Sequence, residues 1–160
     1  MKTKFNLFVV MLLSSLCFTF TSCSDDDDDD NPVTPDYAKE IIGDYKGDIY
    51  LADGNDTPIA TDAIIKVTRI SDNKVKLELN QYILIQEFEI KYESDVEYAN
   101  DIYSIKKGTT KVPITVEEVG EMKVDVELDG SFDKEGNSTV NIAVKIPNAP
   151  VNVVYKGEKQ

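Results

Sequence analysis

Lys74-Val75-Lys76-Leu77-Glu78-Leu79 places charged and apolar residues strictly by turns. Successive side chains of a strand point to opposite faces, so Val75, Leu77 and Leu79 share one face while Lys74, Lys76 and Glu78 share the other. That is the pattern of antiparallel sheet with one face buried and one in water. The same period of two runs along most of the chain. Met122, Val124, Val126 and Leu128 alternate with Glu121, Lys123, Asp125 and Glu127, and Phe88, Ile90 and Tyr92 alternate with Glu87, Glu89, Lys91 and Glu93. Tyr45, Gly47, Ile49 and Leu51 oppose Asp44, Lys46, Asp48 and Tyr50, while Val140, Ile142, Val144 and Ile146 precede a last strand with Val151, Val153 and Tyr155.

Between these runs lie turn-forming clusters at Asp53–Pro58, Ser71–Asn73, Asp133–Asn137 and Pro147–Pro150. A second strand is expected over Thr61–Ile70, and the alternation loosens from Asp95 to Asn100. Two short strands are expected at Ile102–Lys106 and Lys111–Glu117, separated by Lys107-Gly108. A short helical turn from Tyr37 to Ile42 opens the body. Tyr82-Ile83-Leu84-Ile85 breaks the alternation with four apolar residues, as a strand covered on both faces, a bulge or an exposed apolar lip would.

Eight to nine hairpin-spaced strands and no long helix make an all-β fold, either an antiparallel up-and-down barrel or a β-sandwich. One apolar face per strand favours the barrel. So do the similar runs Asp44-Tyr45-Lys46-Gly47 and Val154-Tyr155-Lys156-Gly157, as if the first and last strands met.

The 160 residues divide into a leader (1–22), a tether (23–36) and a body (37–160) of one-domain size. The leader has Lys2 and Lys4, an apolar stretch from Phe5 to Leu16 and small residues at its end, the three parts of a secretory signal. Phe20-Thr21-Ser22-Cys23 resembles the bacterial lipobox, which implies cleavage before Cys23 and lipidation of that residue. Ser24 and the run Asp25, Asp26, Asp27, Asp28, Asp29 and Asp30 resemble the export signal of surface lipoproteins in the Bacteroides group. Together they imply a protein anchored in the outer membrane through lipid on Cys23 and exposed at the cell surface. The aspartates and Asn31-Pro32-Val33-Thr34-Pro35 also read physically as a solvated, stiff spacer.

Composition narrows the chemistry. The chain has no histidine, and its two cysteines, Cys17 and Cys23, precede the body. The body therefore lacks the commonest general base, any thiolate nucleophile and any Cys- or His-ligated metal. Adjacent carboxylates such as Glu117 and Glu118 point to opposite faces of a strand and cannot share a substrate. An enzyme, a metal site and a cofactor are accordingly not expected. Leaving out the leader and the aspartate run, the chain carries fifteen basic side chains against twenty-four acidic, which repels nucleic acid and anionic lipid.

Gly43-Asp44-Tyr45-Lys46-Gly47, Leu128-Asp129-Gly130-Ser131-Phe132 and Val151-Asn152-Val153-Val154-Tyr155-Lys156-Gly157 make the body similar to the calycin-like β-barrel lipoproteins of the Bacteroides group, which are lipocalin-related domains. The resemblance implies a closed barrel, which at eight strands either fills with its own side chains or holds one small ligand. The expected ligand is apolar or amphipathic and sits among Tyr45, Phe88, Tyr92, Phe132 and Tyr155. The alternative is an interaction module with a self-packed interior, presented to a partner protein or glycan through exposed tyrosines such as Tyr50, Tyr82, Tyr98 and Tyr103.

Overall fold

The computed structural model describes residues 35–83, 86–116, 120–146 and 150–160. The leader, Cys23, the aspartate run, Leu84-Ile85, Glu117-Glu118 and Pro147-Asn148-Ala149 lie outside these residues. A helical turn, α1 (Tyr37–Ile41), precedes β1 (Gly43–Leu51), β2 (Pro58–Ser71), β3 (Lys74–Ile83), β4 (Gln86–Ala99), β5 (Ile102–Val116), β6 (Gly120–Asp133), β7 (Asn137–Lys145) and β8 (Val151–Lys159). Each strand runs antiparallel to the next, and β8 returns to β1 with Gly47 opposite Gly157, so the sheet closes into an up-and-down barrel. The fold is the expected barrel, and the sandwich is set aside.

The strand count is eight because Lys107-Gly108 does not separate two strands. It lies within β5, where a register shift between Ile105 and Gly108 adds one residue against β6. The extra residue changes which alternate positions face inward, from Tyr103 and Ile105 before it to Val112 and Ile114 after it. The polar stretch after Asp95 likewise remains strand. Val96 and Ala99 pair with Ile105 and Ile102, and Ser94 and Val96 are buried.

Inward-facing apolar residues make up the core of the barrel. Ile65, Val67, Leu77, Leu79, Ile90, Val112, Val124, Val126, Leu128, Val140, Ile142 and Val153 are all buried. One end is covered by α1, whose Ala38 N–H donates to Asp72 O at 2.9 Å. Its buried Ala38 and Ile41 face the core, and Asp36 caps its first turn through Lys39 N–H at 3.1 Å. The opposite end, the mouth, is where β1, β3, β5 and β7 end and β2, β4, β6 and β8 begin.

Backbone pairing is uneven around the wall. The β2–β3 ladder runs from Ser71 opposite Lys74 to Ile65 opposite Leu79, although both strands continue toward the mouth. The β4–β5 ladder covers Val96–Ala99 against Ile102–Ile105. Nearer the mouth, side-chain hydroxyls join those two strands: Thr110 Oγ1 donates to Lys91 O at 3.0 Å, and Tyr92 Oη donates to Lys106 O at 2.7 Å.

Candidate functional site

The five aromatic residues expected at a ligand all lie inside the barrel, between 0 and 8% exposed. Tyr45, Phe132 and Tyr155 meet near the end covered by α1. Tyr45 and Phe132 pack edge to face with centroids 5.0 Å apart, a favoured aromatic geometry. Phe88 and Tyr92 stand on β4, across the barrel from the β1–β8 seam.

Each tyrosine hydroxyl of this set bonds to the protein's own backbone. Tyr45 Oη donates to Ile41 O at 2.9 Å, satisfying a carbonyl at the end of α1. Tyr155 Oη donates to Tyr45 O at 2.7 Å. Tyr92 Oη donates to Lys106 O, which also accepts from Ser94 Oγ at 3.3 Å. Burial pushes the phenols of Tyr45 and Tyr155 up to about 12, so both remain neutral donors at physiological pH.

The rings also occupy space that a larger residue would need. A Cβ on Gly157 would run into the Tyr155 ring, a Cβ on Gly47 would meet the backbone of Lys156 and Gly157, and a Cβ on Gly108 would run into Tyr92. Gly108, which has the composition of a break between strands, is therefore a seat for the Tyr92 ring, and Gly47 and Gly157 are seats for backbone and the Tyr155 ring.

At the covered end, Tyr37, Tyr98 and Tyr103 form a second aromatic group, with Tyr98 and Tyr103 centroids 4.6 Å apart and Tyr37 5.8 Å from Tyr98. Tyr98 Oη and Lys134 Nζ each lie 2.7 Å from Asp101 Oδ1, and Lys134 also sits over the Tyr98 ring. Lys134 and Tyr98 hold the Asp101 carboxyl below its usual range, while Asp101 holds the Lys134 ammonium above its own. This group corrects the expectation that Tyr103 is an exposed contact residue: it is buried, and Tyr98 is half-buried beside it. Tyr50 is half-buried with Lys156 Nζ over its ring, whereas Tyr82 is 62% exposed.

Several recesses lie on the outside and at the ends of the barrel. One of about 250 Å³ at the covered end is lined by Glu40, Tyr45, Tyr103, Asp133, Lys134 and Lys159. Another, about 340 Å³, lies on the outer wall among Ile64, Lys66, Glu78, Asn80, Glu89 and Lys91. At the mouth, Leu51, Ile59, Met122, Ile146 and Val151 are half-buried against the core. Among the described residues no cluster of His, Cys, Asp or Glu is arranged to hold a metal ion, and no helix is long and apolar enough to cross a membrane.

Comparison with known proteins agrees with this architecture. A candidate outer membrane protein from Bacteroides fragilis superposes with a TM-score of 0.53 at 16% identity, over 79% of this chain and 47% of that one. The chain thus spans about half the length of that protein, and the likeness is one of fold. No curated protein matches the sequence. The model of the calycin-like β-barrel domain matches residues 41–158, from the end of α1 to the last strand, and the chain belongs to that family.

Proposed function

We propose that this protein is an outer-membrane lipoprotein, held by lipid on Cys23 and exposed at the cell surface, whose self-packed barrel serves as an interaction module for a partner protein or glycan. The observation that carries this reading is the use made of the interior aromatics. Tyr45, Tyr92 and Tyr155 direct their hydroxyls to the chain's own carbonyls, and the side chains around them are buried against one another. A carrier barrel needs unoccupied interior volume and polar groups free to meet a ligand. The likeness to the Bacteroides fragilis protein and the signals around Cys23 support the address.

The half-buried ring of Leu51, Ile59, Met122, Ile146 and Val151 favours a second reading, in which a small apolar or amphipathic ligand rests at the mouth. Titration with a fluorescent fatty acid separates the two. A self-packed module gives no saturable binding, whereas one-to-one binding lost on Met122→Asp would favour the ligand at the mouth.

A further inference from the structure

We infer that the recess at the covered end, bounded by Glu40, Tyr103 and Lys159, is a binding site for one uncharged sugar ring of a glycan. The inference rests on the interaction-module reading and names the chemistry of that module's partner.

Four parts of the fold bound this recess: the end of α1 at Glu40, the start of β5 at Tyr103, the β6–β7 turn at Asp133 and Lys134, and the end of β8 at Lys159. Its walls are held by the protein's own bonds. Asp133 accepts from the main-chain N–H groups of Glu135 and Asn137 at 2.9 and 2.8 Å, and from Asn137 Nδ2 at 2.8 Å. Lys134 Nζ donates to Asp101 at 2.7 Å. Lys159 N–H donates to Gly136 O at 2.8 Å and Lys159 Nζ donates to Glu40 O at 3.1 Å. That fixes the ammonium at the rim with two further donors to offer.

Tyr103 is the residue whose bonding the fold leaves unfinished. It is 7% exposed and packs beside Tyr37 and Tyr98. Among the described residues its hydroxyl has no hydrogen-bond partner, whereas those of Tyr45, Tyr92, Tyr98 and Tyr155 each have one. Described side-chain polar atoms that are closed off from solvent all have partners. The Tyr103 hydroxyl therefore opens on free space, and the space it lines is this recess. Burial, and after it the Glu40 carboxylate, raises the Tyr103 phenol above its usual range, although Glu40 does not bond to it. A hydroxyl group, which accepts from Tyr103 and donates to Glu40 at once, completes both.

Size and local charge choose the ligand. About 250 Å³, the liquid share of roughly eight waters, takes one sugar ring and not an extended peptide. Glu40 and Asp133 face Lys134 and Lys159, so a net cation or anion meets a like charge for each opposite one. An uncharged ring with hydroxyls on adjacent carbons uses both signs: Glu40 accepts from a pair of hydroxyls, while Lys159 and Tyr103 donate to their oxygens. The rings of Tyr45 and Tyr103 supply apolar surface for its C–H groups.

Tyrosine-ring NMR of the full chain tests this, with the methyl glycosides of glucose, galactose, mannose and N-acetylglucosamine as probes. At least one should shift the Tyr103 and Tyr45 ring signals saturably. Tyr103→Phe removes a hydroxyl that no described group uses, so the urea midpoint should stay unchanged while that glycoside, followed at Tyr45, binds about tenfold more weakly. Glu40→Gln, on the exposed flank of α1, should also weaken it about tenfold, and it decides if Tyr103→Phe does not fold. Saturable binding of none of the four, undiminished binding to either variant, or tighter binding of the zwitterion glycine betaine would each overturn the inference. A small molecule found inside the barrel or at its mouth would overturn the interaction-module reading and leave the Tyr103 shifts in place, so the two failures are distinguishable.

Discussion

The hydroxyl of Tyr155, in the last strand, donates to the main-chain carbonyl of Tyr45, in the first, at 2.7 Å. The bond spans the seam that closes the barrel, and the Tyr155 ring lies where a Cβ of Gly157 would be. Tyr155→Phe keeps the ring and leaves a buried carbonyl short of a donor, a cost of about 1 to 3 kcal/mol. Gly157→Ala forces the ring or strand to shift at a similar cost of about 1 to 3 kcal/mol. Both should lower the urea midpoint with an unchanged slope; midpoints equal to the parent's would mean that the seam does not depend on this contact.

Tyr92 and Gly108 repeat the arrangement across β4 and β5. Gly108→Ala should destabilise by about 1 to 3 kcal/mol in the parent, and by much less in a Tyr92→Leu background, where the shorter side chain leaves room. A double-mutant cycle measures the difference. Additive costs would show that Gly108 is required by its backbone and not by the ring.

Alkaline unfolding follows from the two buried phenols. Tyr45 and Tyr155 are raised to about 12 by burial, above the usual value of 10.0. The folded state therefore holds these protons more tightly, and stability present below about pH 10 falls as pH rises through about 12, by up to about 3 kcal/mol per ring. Tyr155→Phe should make this loss shallower. Stability that is flat between pH 10 and 12 would contradict the burial of both groups.

Much of this wall was readable from the chain because one-sided burial writes itself as alternation. Lys74–Leu79 and Glu121–Leu128 take the faces their periods require, and the matching ends of the chain meet with Gly47 opposite Gly157. β5 reads as two strands in the sequence because Lys107-Gly108 has the composition of a turn. The sign of a bulge was nevertheless present, since inward positions change from odd numbers at Tyr103 and Ile105 to even numbers at Val112 and Ile114. Tyr103 looked like a surface residue because its cover comes from α1 and Tyr98, a tertiary arrangement with no local signature. The hydroxyl partners of Tyr45, Tyr92 and Tyr155 were also illegible. They are backbone carbonyls, which any residue supplies, and Tyr155 and Tyr45 are 110 positions apart.

The anchor proposed at Cys23 predicts a redistribution. Cys23→Ala should move the protein from the outer-membrane fraction to the soluble periplasmic fraction and leave the barrel's unfolding midpoint unchanged, because the body contains no cysteine. Acyl chains supply about 0.8 kcal/mol per buried methylene, and their loss is enough to release an acidic domain from anionic lipid. Retention of the variant in the membrane fraction would place the attachment elsewhere.

Native mass spectrometry of the protein extracted from its own membrane tests the central claim, a barrel filled by its own side chains. The expected mass is that of the chain from Cys23 onward with its covalent acyl groups and nothing else. A further small molecule that stays bound in stoichiometric amount and is lost on unfolding would contradict the self-packed interior and return the barrel to ligand carriage.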